Sequence, residues 1–160
     1  MAASDDCCNY QVFISYRWED TGNTFTGFLH SELKRERIDV FIDIENLPRG
    51  EEMLPKLFQG IESSKISIPI ISKGYTDSKW CLIELAKMVE CYKSRGQKIL
   101  PIFFDVELND IKMKNKTFEA SFEQQHKKDP KNDEQTIQGW KHALSVVGEI
   151  KGFELKEVNG

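Results

Sequence analysis

The chain has 160 residues, of which 39% are hydrophobic and 30% are charged, as is typical of a single soluble globular domain. Its 22 basic and 26 acidic side chains give a formal net charge of −4, which argues against a protein built to bind polyanions. Its longest apolar runs, Ile66–Ile71 and residues 99–104, are of strand length and too short to cross a bilayer.

The ends and the cysteines bear on location. The polar, acidic N-terminus is unlike a signal peptide, and Ala2 does not fit the N-myristoylation pattern. The four cysteines and three histidines show no metal-ligand spacing, and free thiols in a reducing compartment are the simplest interpretation. We therefore expect a cytoplasmic or nucleocytoplasmic protein that holds no metal and does not associate with a membrane.

In chain order, short apolar strands alternate with amphipathic helices. Residues 1–9 are expected to form a disordered tail, residues 10–155 one domain, and residues 156–160 a C-terminal tail. Strands are predicted at 11–16, 38–43, 65–72, 98–104 and 151–155.

Helical periodicity follows each of the first four strands. The first helix is predicted to bury one stripe, formed by Phe25, Phe28, Leu29 and Leu33. A polar loop is expected at 105–117, before two last helices at 118–126 and 134–147.

Most of the strands are continuously apolar rather than alternating, which favours a parallel sheet covered on both faces. We predict an α/β fold, a flavodoxin-like doubly wound sheet of five parallel strands in the order 2-1-3-4-5, flanked by helices. Ligands of such sheets bind beyond the carboxyl ends of the strands, at the switch point between strands one and three. The loops at 17–22, 44–50 and 72–80 should meet there.

The helix after the third strand carries Trp80 and Glu84 four residues apart, so both lie on one face. Asp77 or Ser78 can cap its first turn. We hypothesise that Glu84 is a catalytic carboxylate and that Trp80 belongs to its pocket. The alternative is that Glu84 is a solvated helix residue and Trp80 a satellite of the core.

The loops narrow the class of ligand. No GxGxxG or GxxxxGK[ST] motif occurs, and the acidic pair Glu19 and Asp20 opposes a flavin phosphate in the first loop. A carboxylate beside an aromatic ring and an arginine fits cleavage of a cationic glycosidic bond, because Glu84 could stabilise positive charge developing on the sugar. Trp80 could stack on a base; Arg17 could bind a phosphate or be an ordinary surface ion-pair partner.

Four separated motifs carry a family resemblance. They are VFISYR at 12–17, EDT at 19–21 with FT at 25–26, SKWCLIEL at 78–85, and LPIFFDV at 100–106. In this order they resemble the Toll/interleukin-1 receptor (TIR) domains of plant nucleotide-binding, leucine-rich-repeat disease resistance proteins. The resemblance extends over residues 10–153.

The resemblance implies an NAD⁺ nucleosidase of the ADP-ribosyl cyclase or hydrolase type, active in plant innate immune signalling, with Glu84 as the catalytic residue. Substrate-binding roles are predicted for Arg17, Trp18, Trp80 and Cys81. NAD⁺ is then a substrate, and no cofactor is expected.

The resemblance also implies partners. Members of the family act as assemblies in which the loop after strand two, here 44–50, contacts a neighbour, so self-association and pairing with other TIR domains are expected. Some members make cyclic nucleotides from nucleic acid. Several lysines could serve that activity, although a solvated basic face is the alternative: Lys112, Lys114, Lys116, Lys127, Lys128 and Lys131.

Several positions depart from the family pattern. Trp18 stands where the family usually has glycine, and its ring could crowd the substrate or supply a second stacking surface. Gly22 stands where the family has an arginine suited to a phosphate, so one anchoring charge is missing. A Ser-His pair that some relatives use for self-association is replaced by Gly27 and Phe28. The Asp-Pro after the fourth strand is absent, and relatives often carry one more helix after residues 153–155. These departures keep open an alternative function, a catalytically weak TIR module that signals by TIR–TIR pairing.

Overall fold

The structure is a computed structural model, and it describes residues 10–42, 51–114 and 116–156. The predictions for the tail at 1–9, for the loop at 44–50 and for residues 157–160 therefore lie outside the described residues.

The strands form one parallel sheet. They run in the order β2-β1-β3-β5-β6, and β4 also pairs with β3. Their bounds are β1 Val12–Ser15, β2 Val40–Ile42, β3 Ile66–Ile71, β4 Lys98–Ile99, β5 Ile102–Phe104 and β6 Phe153–Leu155. The predicted doubly wound α/β fold is confirmed, with its fourth strand in two pieces.

The break in the fourth strand lies at Pro101, which has no N–H to donate to a neighbouring strand. Just before it, the Leu100 N–H donates to the Ser67 carbonyl over 2.8 Å. The Pro101 carbonyl turns to the other side and accepts from the Phe153 N–H over 3.0 Å. The sequence predicted a single strand here, because its apolar run continues through the proline.

Six α-helices are described. They are α1 Phe25–Arg35, α2 Leu54–Ser63, α3 Lys79–Arg95, α4 Leu108–Ile111, α5 Glu119–Lys128 and α6 Glu134–Gly148. Shorter helical turns are Trp18–Gly22, of π type, and Glu51–Met53 and Tyr75–Asp77, of 3-10 type. The helix α4 lies within the stretch that was predicted to be a loop.

The core has two parts, one on each face of the sheet, because successive residues of a strand point to opposite faces. Phe13 belongs to the larger cluster, under α2, α3 and α6, whereas Val12 and Ile14 belong to the smaller one. The continuously apolar strands are explained by this burial on both sides.

On α1 the predicted stripe is only partly right. Phe25, Leu29 and Leu33 pack on the smaller cluster, but Phe28 is 76% exposed. At about 100° per residue, Phe28 projects roughly 100° away from the centre of the other three side chains. It therefore points to solvent.

Candidate functional site

The candidate site lies at the carboxyl edge of the sheet, where chain segments after β1 and β3 meet. The segment after β1 is the turn Trp18–Gly22, and the segment after β3 leads through the turn Tyr75–Asp77 into α3. Because β1 and β3 are paired in parallel, both segments leave the same edge of the sheet. The third expected loop, 44–50, lies outside the described residues.

The start of α3 is set by Ser78. Its side chain accepts a hydrogen bond from the Cys81 N–H over 3.2 Å and caps the helix. Asp77, the other candidate cap, instead accepts from the Ser121 hydroxyl over 2.7 Å. The cap fixes where α3 begins, and thereby places Glu84 on the turn of the helix that faces the sheet.

Glu84 is 7% exposed, so it is not a solvated helix residue. The Ser15 hydroxyl, at the end of β1, donates to Glu84 Oε1 over 2.6 Å. Ser15 Oγ also lies 2.7 Å from the Tyr75 hydroxyl oxygen, and this oxygen lies 3.2 Å from the Cys81 carbonyl oxygen. A buried carboxylate at the carboxyl edge of the sheet is thus held by the Ser15 side chain, which in turn contacts Tyr75.

Tyr75 is fully buried. Burial, and then the nearby Cys81 and Glu84, raise the pKa of its phenol well above the usual range, against a lowering by the Ser15 hydrogen bond. The phenol therefore stays protonated at neutral pH and is available as a hydrogen-bond donor.

A second polar cluster surrounds Arg17. Its Nη1 lies 2.8 Å from Asp20 Oδ1, and Asp20 Oδ2 accepts from Ser72 Oγ over 2.6 Å and from the Gly74 N–H over 2.8 Å. A Cβ on Gly74 would lie 2.5 Å from Arg17 Nη1, so only glycine permits this approach. The cluster joins the first loop to the third.

Asp20 should make stability depend on pH. Burial opposes its ionisation, but hydrogen bonds from Ser72, Gly74 and Arg17 lower its pKa below the usual value of 3.8. A lowered native pKa means that Asp20 stabilises the fold above the unfolded-state pKa and loses this effect as pH falls through the native one.

We therefore expect Asp20→Asn to reduce the free energy of unfolding by about 1–2 kcal/mol near neutral pH and by much less at about pH 2.5. Urea titrations of both proteins at the two pH values measure the difference. A gap of equal size at both values would contradict the assignment.

Trp18 covers Gly22. A Cβ on Gly22 would lie 2.4 Å from Trp18 Cε3 and 2.6 Å from Cδ2, so the indole occupies the space of a side chain at position 22. The Trp18 ring also lies 6.4 Å from that of Tyr16, at 58°. The two departures from the family pattern are therefore spatially complementary.

The remaining predicted positions lie along the start of α3. Trp80 is half-buried and packs against the larger core cluster. Cys81 is 3% exposed and donates from Sγ to the Tyr16 carbonyl over 3.3 Å.

The lysines that were considered for nucleic-acid binding lie outside α3. Lys112 contacts Glu149 over 3.8 Å, and the others are exposed.

Sequence reasoning assigned no role in the site to Ser15, Tyr75 or Ser72. Ser72 and Tyr75 follow β3 and lie within the segment 72–80 that is expected at the switch point, and Ser15 ends β1, just before the expected segment 17–22. A polar residue that ends a buried parallel strand is the signal that could have identified Ser15 and Ser72.

Comparison with known proteins identifies the family of the chain. The family model of the TIR domain matches residues 9–160. The chain belongs to the TIR family. It is 38% identical over 158 residues to disease resistance-like protein DSC1 of Arabidopsis thaliana, and 36% identical over 151 residues to TMV resistance protein N of Nicotiana glutinosa.

These matches cover 99% and 94% of this TIR domain, which spans 13% of the length of each relative. Among solved structures, it resembles the TIR domains of the activated Roq1 resistosome, which directly recognises the pathogen effector XopQ. The TM-score is 0.79 at 32% identity, over 92% of this chain and 88% of the other. Within the described ranges, no helix is long and apolar enough to cross a bilayer.

Proposed function

We propose that this TIR domain is an NAD⁺ nucleosidase that breaks the bond between nicotinamide and ribose, with Glu84 as its catalytic residue. The observation that carries the proposal is the Glu84 carboxylate, buried at the carboxyl edge of the sheet and held there by Ser15. A fixed carboxylate in a water-poor site stabilises positive charge more strongly than one in water.

The chemistry follows from that charge. As the bond breaks, its electron pair leaves with nicotinamide, and positive charge develops on the ribose. Glu84 stabilises that charge and can accept hydrogen bonds from the ribose hydroxyls. Water, or a nucleophile of the substrate itself, then forms the new bond to the anomeric carbon and gives up its proton to solvent.

The other candidate residues would bind the substrate. One nitrogen of Arg17 is paired with Asp20. Because a guanidinium carries five N–H donors, Arg17 can bind a phosphate while this ion pair persists. The rings of Trp18 and Trp80 offer stacking surfaces for flat bases. The Cys81 thiol donates to the Tyr16 carbonyl, which helps to hold the chain next to Arg17.

The test is nicotinamide release from NAD⁺ by the purified chain at high protein concentration, beside Glu84→Ala. Release by the wild-type chain that rises steeply with protein concentration, and is lost in the variant, would support an enzyme active on association. Equal background rates for both proteins would favour the second candidate, a module that signals only by TIR–TIR pairing. The covering of Gly22 by Trp18 is the observation that favours this alternative.

We further propose that the chain self-associates, as TIR domains in a resistosome indicate for the family. Phe28 is exposed beside a surface depression of about 320 Å³. A projecting ring and a depression on one surface suit two-fold pairing, in which the ring of each copy fills the depression of the other. The depression is lined by Gly22, Asn23, Thr24, Gly27, Phe28 and Ser31.

Phe28→Glu is accordingly expected to weaken self-association about tenfold or more, because a central aromatic anchor is replaced by a charge. Sedimentation velocity over a range of concentrations measures it. Tyr92→Ser, which alters an exposed aromatic residue on α3, is the matched control. An unchanged dissociation constant for Phe28→Glu would exclude this surface.

A further inference from the structure

Three buried groups form a continuous chain of hydroxyls and carboxylate. Tyr75 OH lies 2.7 Å from Ser15 Oγ, and Ser15 Oγ lies 2.6 Å from Glu84 Oε1. Ser15 is 1% exposed and Tyr75 0%, so the chain is shielded from water. Its members are 60 and 69 residues apart in sequence, counted from Ser15.

The number of hydroxyl hydrogens determines the direction of each hydrogen bond in this hydrogen-bond chain. Ser15 and Tyr75 each carry one hydroxyl hydrogen, and an ionised carboxylate carries none. When Glu84 is ionised, the Ser15 hydrogen must point at Oε1. The contact between Ser15 and Tyr75 then requires the hydrogen of Tyr75, so the direction is Tyr75 to Ser15 to Glu84.

When Glu84 is protonated, the chain can run the other way. Glu84 donates to Ser15, Ser15 donates to Tyr75, and Tyr75 donates to the Cys81 carbonyl at 3.2 Å. That carbonyl is a permanent acceptor at the end of the chain. Every hydroxyl therefore keeps a partner in both protonation states of Glu84, which is the condition under which a buried polar network is stable.

We propose that Tyr75, acting through Ser15, is a positioning residue that fixes the orientation of the Glu84 carboxylate and sets the pH range in which it is ionised. The inference rests on the proposed function for its effect on turnover, but not for its effect on the carboxyl group itself. Ser15 makes the direct contact, and Tyr75 supplies the hydrogen that Ser15 accepts while Ser15 donates its own to the ionised carboxylate.

Titratable groups also face this hydrogen-bond chain. Cys81 and Glu84, both on α3, act on the pKa of Tyr75, which lies in the turn after β3. From the first loop, Arg17 and Asp20 are engaged with each other. Ser15 is the β1 residue that donates to the carboxylate.

The first measurement titrates Glu84 itself. Carbon NMR of protein labelled in its glutamate carboxyl groups gives the midpoint, with the Glu84 signal identified by its loss in Glu84→Gln. Ser15→Ala removes a donor to the anion, so its midpoint should rise by about one pH unit. Tyr75→Phe should shift the midpoint less and in the same direction, and Ser15→Thr, which keeps the hydroxyl, should restore the wild-type midpoint.

The second measurement is turnover. Ser15→Ala is expected to lower kcat for nicotinamide release about 10- to 100-fold with little change in KM, and to move the acid limb of the pH profile upward. Tyr75→Phe should do the same to a smaller extent. Tyr92→Phe, which removes an exposed phenol from α3, is the matched control and should change neither quantity.

The outcomes separate the two proposals. If the titration midpoint of Glu84 stays at the wild-type value in folded Tyr75→Phe and Ser15→Ala, the proposed role of the hydrogen-bond chain is wrong, whatever the activity. Shifted midpoints in a protein that never releases nicotinamide would support the chain and refute the nucleosidase. If Ser15→Ala does not fold, Tyr75→Phe decides alone, because it keeps the buried ring and removes only the oxygen.

Discussion

Glu84→Gln is expected to reduce nicotinamide release by about 100- to 1,000-fold while leaving the fold intact. Glutamine has the shape of glutamate, and its carbonyl can still accept the hydrogen that Ser15 donates to Oε1. What it lacks is the negative charge, and that charge is what stabilises the developing cation in the proposed mechanism. The loss should therefore appear in kcat and in kcat/KM alike.

The matched control is Glu90→Gln, the same chemical change six residues further along α3. Glu90 is exposed and pairs with Lys87, far from the contacts of Ser15 with Glu84. It should leave the rate unchanged, and both variants should melt within a few degrees of the wild-type chain. A Glu84→Gln protein that is folded and still releases nicotinamide at the wild-type rate would refute a catalytic role for this carboxylate.

The fold could largely be predicted because its signals are local. Apolar runs of strand length and helical stripes of period 3.6 predict the elements, and the flavodoxin-like form of doubly wound sheets predicts the strand order. The errors lie where a local sequence pattern is overridden by tertiary packing or by strand pairing. Phe28 fits a helical stripe by sequence spacing but not by its angle to the sheet, and Pro101 divides a strand whose apolar run is continuous.

The candidate site could be located from the sequence but not built from it. The switch-point rule brings three loops together without saying which side chains touch. Ser15 and Glu84 are 69 residues apart, and Asp20 and Ser72 are 52 apart, so no sequence window contains either pair. Asp20 illustrates the consequence: in the sequence it is one acid of the first loop, whereas in the structure its carboxylate accepts hydrogen bonds from Arg17, Ser72 and the Gly74 N–H.

Trp18 and Gly22 show a different limit. Taken one position at a time, Gly22 removes a charge that would bind the substrate, whereas Trp18 either crowds the substrate or adds a stacking surface. In three dimensions they are one feature, because the indole lies where a side chain at 22 would begin. Restoring the family residue at only one of the two positions therefore does not restore the family arrangement.

The two substitutions should consequently be strongly coupled. Gly22→Arg alone is expected to cost about 1–3 kcal/mol of unfolding free energy, since its Cβ would lie 2.4 Å from Trp18 Cε3. Adding Trp18→Gly should recover most of that cost, with a coupling energy of about 0.5–3 kcal/mol in a double-mutant cycle followed by urea denaturation.

Gly139→Arg is the matched control, because a Cβ on this α6 residue meets nothing within 4 Å and the substitution should be close to neutral or stabilising. If the family arrangement supports catalysis, the double variant will also release nicotinamide faster than wild type, and Gly22→Arg alone will not. Additive effects on stability would show that the indole does not occupy the space above Gly22 in solution.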